Sequence, residues 1–180
     1  HSYSSGEGAI NDFIQIGCIP KTSSNNMLST SNISPQLLRK GTSSAKGITI
    51  AFWIKSNLTG NFNLEIWDRE NDRQITKAVT INSANTWERK TVTVDGDTSG
   101  TWLTNNSVGL RVAFDLGQGS NLRSSAGSWA SSGNYGSTGS VELVGTASAT
   151  LYITGVQLEV GDTATEFEHR SFGEELSLCK

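Results

Sequence analysis

The sequence predicts an all-β fold, a sandwich or barrel of antiparallel strands, and three observations carry that prediction. Apolar residues recur at every second position in several separate runs, which is the period of a strand with one buried face. Ser, Thr, Asn and Gly together supply about two-fifths of the 180 residues, while charged residues supply 17%. Helices draw their solvent face from Glu, Lys, Arg, Gln and Ala, whereas Ser, Thr, Asn and Gly favour strands, turns and loops. Clusters of turn formers separate the apolar runs, and no amphipathic helix lies between them. A parallel α/β sheet, which needs helical crossovers, is therefore excluded.

The elements follow in order. Residues 1–47 are irregular, with SSGEG, TSSNN, STSNIS and GTSSAKG around short apolar pieces. Ile14, Ile16 and Cys18 alternate like an edge strand, and Leu37 and Leu38 form a weak segment after Pro35. Ile48, Ile50, Phe52 and Ile54 then share one strand face, with Thr49, Ala51, Trp53 and Lys55 on the other. After SNLTGN, Phe62, Leu64 and Ile66 alternate against Asn63, Glu65 and Trp67, so the two runs read as an antiparallel hairpin. A polar loop from Asp68 to Arg73 leads into Ile75–Ile81. The turn NSANT delivers Trp87–Val94 with Val92 and Val94 inward.

The cleanest strand follows DGDTSGTW and places Val108, Leu110, Val112, Phe114 and Leu116 inward. From Gly117 to Ser140, Gly and Ser dominate, and the large side chains are Leu122, Arg123, Trp129 and Tyr135. A structureless segment of that length inside a compact domain is uncommon and points to a functional or mobile loop. Val141–Val144 and Leu151–Val160 read as further strands, the second interrupted at Gly155 as a bulge would interrupt it. No internal repeat is present, and the length fits a single domain with a core of its own.

Charge narrows the function. Against 14 Lys and Arg stand 17 Asp and Glu, with no basic run, so the electrostatic footprint of a nucleic-acid binder is missing. The longest apolar runs, such as Ile48–Ile54, are too short to span a bilayer, and membrane insertion is not expected. The chain opens on His1 rather than Met, which reads as a fragment of something longer. Cys18 and Cys179 stand near opposite ends, and the sequence does not say whether they meet.

Catalytic signatures are sparse. A serine nucleophile would have to use His1 or His169 as its base, and GxSxG is absent. No carboxylate pair is singled out for glycoside hydrolysis. GQGS and GSTGS carry neither the lysine nor the strand-to-helix context of a phosphate loop. No cofactor is expected. Asp95 and Asp97 in DGDTSG give a weak cue for a structural calcium ion, against a favoured Asx-turn between strands.

Aromatic residues are the better lead. Trp53 and Trp67 stand opposite the apolar stripes of their strands, and Arg111 and Asp115 take the equivalent face of the Val108 strand. A face combining Trp53, Asn63, Glu65, Trp67, Arg111 and Asp115 is too polar for a core and unusually aromatic for a solvated surface. Such a face suits a sugar groove, because indole rings stack on the C–H faces of pyranoses while carboxylate, guanidinium and amide groups bond the hydroxyls. Its alternative is cover by the N-terminal segment or the long loop, or burial between subunits. Trp129 and Tyr135, in the loop, either fold over that groove or face another chain. Trp87 and Trp102, beside turns, are expected as core plugs.

The stretches TWERKTVTVDGDTSGTW and GVQLEVGDTATEFEHRSFGEELSLC, with Gly155–Gly161 and Phe167–Arg170 as anchors, resemble a module at the C-terminal end of bacteriophage tail fibre, tail spike and other virion proteins. The likeness runs from about Ile48 to Lys180. It implies a jelly-roll sandwich like a carbohydrate-binding module, carried on a phage tail and used to touch the host's surface polysaccharide. It brings no catalytic residues and no mapped sugar site. Because phage fibres and spikes are commonly trimers, it also implies a homotrimeric interface. Three functions therefore compete: a non-catalytic glycan-binding adhesion module, a structural module that trimerises or caps a fibre, and, less favoured, a polysaccharide depolymerase.

Overall fold

A computed structural model describes residues 13–18, 38–68, 73–102, 110–117, 122–131, 136–169 and 171, with the backbone alone at 13–18 and 124. Among the described residues nine strands run β1 (Phe13–Cys18), β2 (Ile48–Ser56), β3 (Gly60–Asp68), β4 (Arg73–Ile81), β5 (Glu88–Val94), β6 (Leu110–Asp115), β7 (Arg123–Ser124), β8 (Gly136–Ser137) and β9 (Leu151–Val160). Two antiparallel sheets, ordered β1-β6-β3-β4 and β5-β2-β9, face each other as a β-sandwich, and β7 and β8 form a short parallel pair outside them. The predicted fold class holds. Among the described residues no helix is long and apolar enough to cross a membrane.

Period-two alternation explains the packing. Ile48, Ile50, Phe52 and Ile54 of β2 meet Phe62, Leu64 and Ile66 of β3 and Leu110, Val112 and Phe114 of β6 across the gap, and all are buried. Phe52 and Phe114 join the sheets edge to face, with ring centroids 5.0 Å apart. Burying side chains of this size contributes roughly 1.5–3 kcal/mol each.

The hairpin expected between β2 and β3 is not formed. β2 pairs with β5 and β9, whereas β3 pairs with β4 and β6, so residues 57–59 carry the chain from one sheet to the other. Alternation fixes which face of a strand is buried but not which strand lies beside it. Here the two apolar stripes oppose each other instead of lying side by side. The hairpin that does form is β3–β4, in register from Gly60↔Ile81 to Asp68↔Arg73.

β1 is the edge strand anticipated in the N-terminal stretch and lies antiparallel to β6. Val141–Val144 is not a strand. Val141 N–H and Val144 N–H donate singly to the Asn61 and Leu116 carbonyls, and turns close by Thr146 N–H to Leu143 O and Ala149 N–H to Thr146 O. The long Gly/Ser segment is anchored where it is described. Ala130 exchanges backbone hydrogen bonds with Gln74, and Gly127 N–H donates to Thr76 O, which extends the four-stranded sheet beyond β4.

β9 carries the bulge read from Gly155. Ala51 pairs with Gln157 and Trp53 with Thr154, leaving Gly155 and Val156 opposite Phe52. Gly155 has φ 58°, the left-handed conformation that an extra residue in a bulge adopts and glycine takes at least cost. The insertion shifts the phase: Leu151 and Ile153 point inward before it, and Val156, Leu158 and Val160 after it.

Candidate functional site

The polar-aromatic face expected from the sequence is divided between two surfaces. Glu65 and Trp67 on β3 and Arg111 and Asp115 on β6 share the outer face of the four-stranded sheet, with Trp67 opposite Arg111 and Asn63 opposite Asp115. Trp53 lies on the other sheet, on the far side of the sandwich. Alternation gives the outward face of each strand, but the expected hairpin, which would set Trp53 beside Trp67, does not form.

The first surface is covered. Glu65 is 2% and Trp67 4% exposed, and Asn63 and Asp115 are buried with them. Ser137 Oγ, from β8, donates to Asn63 Oδ1 at 2.6 Å, while Asn63 Nδ2 and the Gly117 N–H each donate to the Asp115 carboxylate at 2.8 Å. The Arg111 guanidinium lies 5.6 Å from the Trp67 ring centroid, a cation–π distance. The Ser137 bond brings the long loop over the Asn63 end of this face. Burial, reinforced by the negative charge of Asp115, pushes the Glu65 carboxyl up to about 9, so it is protonated at neutral pH. Glu65 Oε1 is buried without a hydrogen-bond partner.

Trp129 belongs to a structural corner. Its Nε1 donates to the Asp95 carbonyl at 2.9 Å, and its ring meets Trp102 edge to face at 5.4 Å. The Lys40 ammonium sits 4.6 Å from the Trp129 centroid and 5.6 Å from that of Trp102. Burial lowers the Lys40 amine to about 8, with Asp97 and Asp95 partly offsetting that cost. Trp102 is the core plug expected of it. Asp97 receives both Arg73 Nε and an Nη at 2.7 Å, Trp102 Nε1 at 3.0 Å and the Ser99 N–H at 3.1 Å. Burial alone would raise the Asp97 carboxyl, but these donors outweigh it and hold the group below its ordinary value. Of the two readings of DGDTSG, the favoured Asx-turn is the one present. The Asp97 carboxylate is occupied by N–H donors, and its bond from Ser99 forms that turn. Tyr135, Cys179 and the side chain of Cys18 lie outside the described residues.

The second surface is open and aromatic. On the outer face of the three-stranded sheet, Trp53 is 40%, Trp87 41%, Tyr152 51% and Phe167 40% exposed. The strands explain the arrangement. Trp53 and Lys55 are successive outward residues of β2, and Tyr152 pairs with Lys55 from β9. Trp87, one residue before β5, continues the β2–β5 register opposite Lys55. The Trp87 and Tyr152 rings lean together to a centroid separation of 6.4 Å, with the Lys55 ammonium 5.1 Å from the first and 4.7 Å from the second.

Phe167 reaches this face because the chain turns back after β9. Gly161 N–H donates to Gly47 O, and Thr165 donates through its backbone N–H and hydroxyl to the Glu159 carboxylate at 2.9 and 2.7 Å. The hydroxyl bond is the main reason the Glu159 carboxyl lies below its ordinary value. Arg89 Nη and Gln157 tie down Thr165 and Glu168 as well. Phe167 and Trp53 both lie beside Gly155: a Cβ at Gly155 would lie 3.3 Å from Trp53 Cδ1 and 3.7 Å from Phe167 Cδ2.

Trp87 thus corrects the expectation of a core plug. The inward position at that end of β5 is Glu88, opposite Ile54, which leaves Trp87 facing outward. Tyr152 was not singled out, although Leu151 and Ile153 on either side of it already implied an outward ring. Phe167 carried no periodic signal, since its place depends on the return of the chain. Comparisons with protein-family models, with curated proteins and with solved structures gave no match to this chain.

Proposed function

We propose that this domain is a non-catalytic glycan-recognition module of a bacteriophage tail fibre or tail spike, and that it meets host-surface polysaccharide on the outer face of the three-stranded sheet. The observation that carries the reading is the row of exposed rings formed by Trp53, Trp87, Tyr152 and Phe167. Single exposed apolar residues are ordinary, but four aromatic rings on one sheet face make a patch that marks an interaction surface. Flat rings beside amide, guanidinium and ammonium groups are the chemistry that sugars require. The phage assignment is supported by the sequence likeness, two of whose anchors, Gly155 and Phe167, adjoin Trp53. The covered residues Glu65, Trp67, Arg111 and Asp115 serve the packing of the loop in this reading, and Trp129 serves the Lys40 corner.

Calorimetric titration against capsular polysaccharide and lipopolysaccharide from candidate hosts tests the proposal. Binding should weaken when Trp53 or Trp87 becomes Ala, and no new reducing ends should appear on incubation. A wild-type domain that binds none of these glycans would remove the reading. The exposed aromatic row also favours a second function, in which it is the interface of a structural homotrimer in the virion. Sedimentation decides between them: association that Trp87→Ala abolishes, with no glycan binding, selects the trimer.

A further inference from the structure

Resting on that reading, we infer that the glycan is acidic and that Lys55 receives its carboxylate, with the sugar ring seated on Trp87 and Tyr152. Lys55 projects from the middle strand of the sheet with its ammonium held between those two rings, 5.1 and 4.7 Å from their centroids. Aromatic faces fix the position of an ammonium but accept no conventional hydrogen bond, so its donors stay available. Among the described residues Lys55 makes no ion pair and no side-chain hydrogen bond.

The nearby acids do not compete for it. Glu88 is held by Lys90 and by the Asn82 and Ser83 N–H groups, at the inward end of β5. Glu159 is bound by Thr165 at the opposite end of the face, where the returning segment also carries Glu166 and Glu168. Its register partner is Thr49, six residues along β2 from Lys55, or about 20 Å. Against the Arg89 guanidinium, which donates to the Thr165 carbonyl, these three carboxylates leave the Thr165 end net negative, while Lys55 makes the Trp87–Tyr152 end positive. A sugar seated against Trp87 and Tyr152 comes within reach of the ammonium, which stands 5.1 and 4.7 Å from their ring centroids. A carboxylate there gains a charge-assisted hydrogen bond, the stronger kind, where a hydroxyl gains an ordinary one.

The test uses the intact domain with uronate- and sialate-bearing capsular oligosaccharides, each compared with its carboxyl-reduced neutral counterpart. Wild type should bind the native forms about tenfold more tightly than the reduced forms, and the gap should shrink with added salt. Lys55→Gln should close the gap by weakening the native forms far more than the reduced ones, and Lys55→Arg should keep most of it. Equal binding of native and reduced forms by wild type would overturn the inference and leave glycan recognition standing. A gap that survives in Lys55→Gln would place the acid elsewhere and overturn it too. Binding of neither form would overturn glycan recognition and the inference with it.

Discussion

Glu65→Gln should change how the stability of the fold responds to pH. In the unfolded chain the Glu65 carboxyl ionises near its ordinary 4.5, and in the folded protein only near 9. Between those values the folded protein holds a proton that the unfolded chain has released. Unfolding therefore becomes easier as pH rises: the group costs nothing below about pH 4.5, costs more through the window, and reaches its full cost near pH 9. Each pH unit inside the window is worth about 1.4 kcal/mol, so between pH 5 and pH 8 the wild type should lose up to about 4 kcal/mol relative to Glu65→Gln, which stays neutral throughout. Urea unfolding of both proteins at pH 5, 6, 7 and 8 measures the difference. Parallel stability curves across that range would refute the reasoning, because they would mean that Glu65 gains no proton on folding.

Lys40→Met should flatten a rise in stability between about pH 8 and 10.5, where the unfolded chain holds a proton that the buried amine has lost, as urea unfolding across that range would report. Asp97→Ala should cost about 3–5 kcal/mol in denaturant unfolding, because it strands the mostly buried Arg73 guanidinium and leaves Trp102 Nε1 unpaired. Gly155→Ala should cost about 1–2 kcal/mol for the left-handed backbone and displace Trp53, which a shift in tryptophan fluorescence and weaker glycan binding would register together.

What the sequence showed well was local. The phase of β2, β3, β5 and β6, the edge strand β1 and the bulge at Gly155 were legible because a strand's alternation is written in its own residues. Partnership was not. The Ile48 and Phe62 stripes look the same whether they lie side by side or face to face, since both arrangements bury the same side chains. The site inherited that ambiguity: Trp53 was recognised as outward but assigned to the wrong sheet. Trp87 misled because position beside a turn says little about which way a ring points, whereas the Glu88–Ile54 pairing decides it. Phe167 was silent because its exposure follows from the Thr165–Glu159 and Arg89–Thr165 bonds, which join residues far apart in the chain or off any strand pattern.

The bulge in β9 also bears on solubility. β9 is the outer strand of its sheet, and an outer strand with a regular ladder is a template on which another chain can add a strand. Two residues opposing one at Phe52 break the spacing of β9's donors and acceptors midway along its length, so a foreign strand cannot stay in register past Gly155. The glycine that makes room between Trp53 and Phe167 is thus also the one that spoils the edge for self-assembly. A mutation that straightened β9 would trade the aromatic cradle for a sticky border.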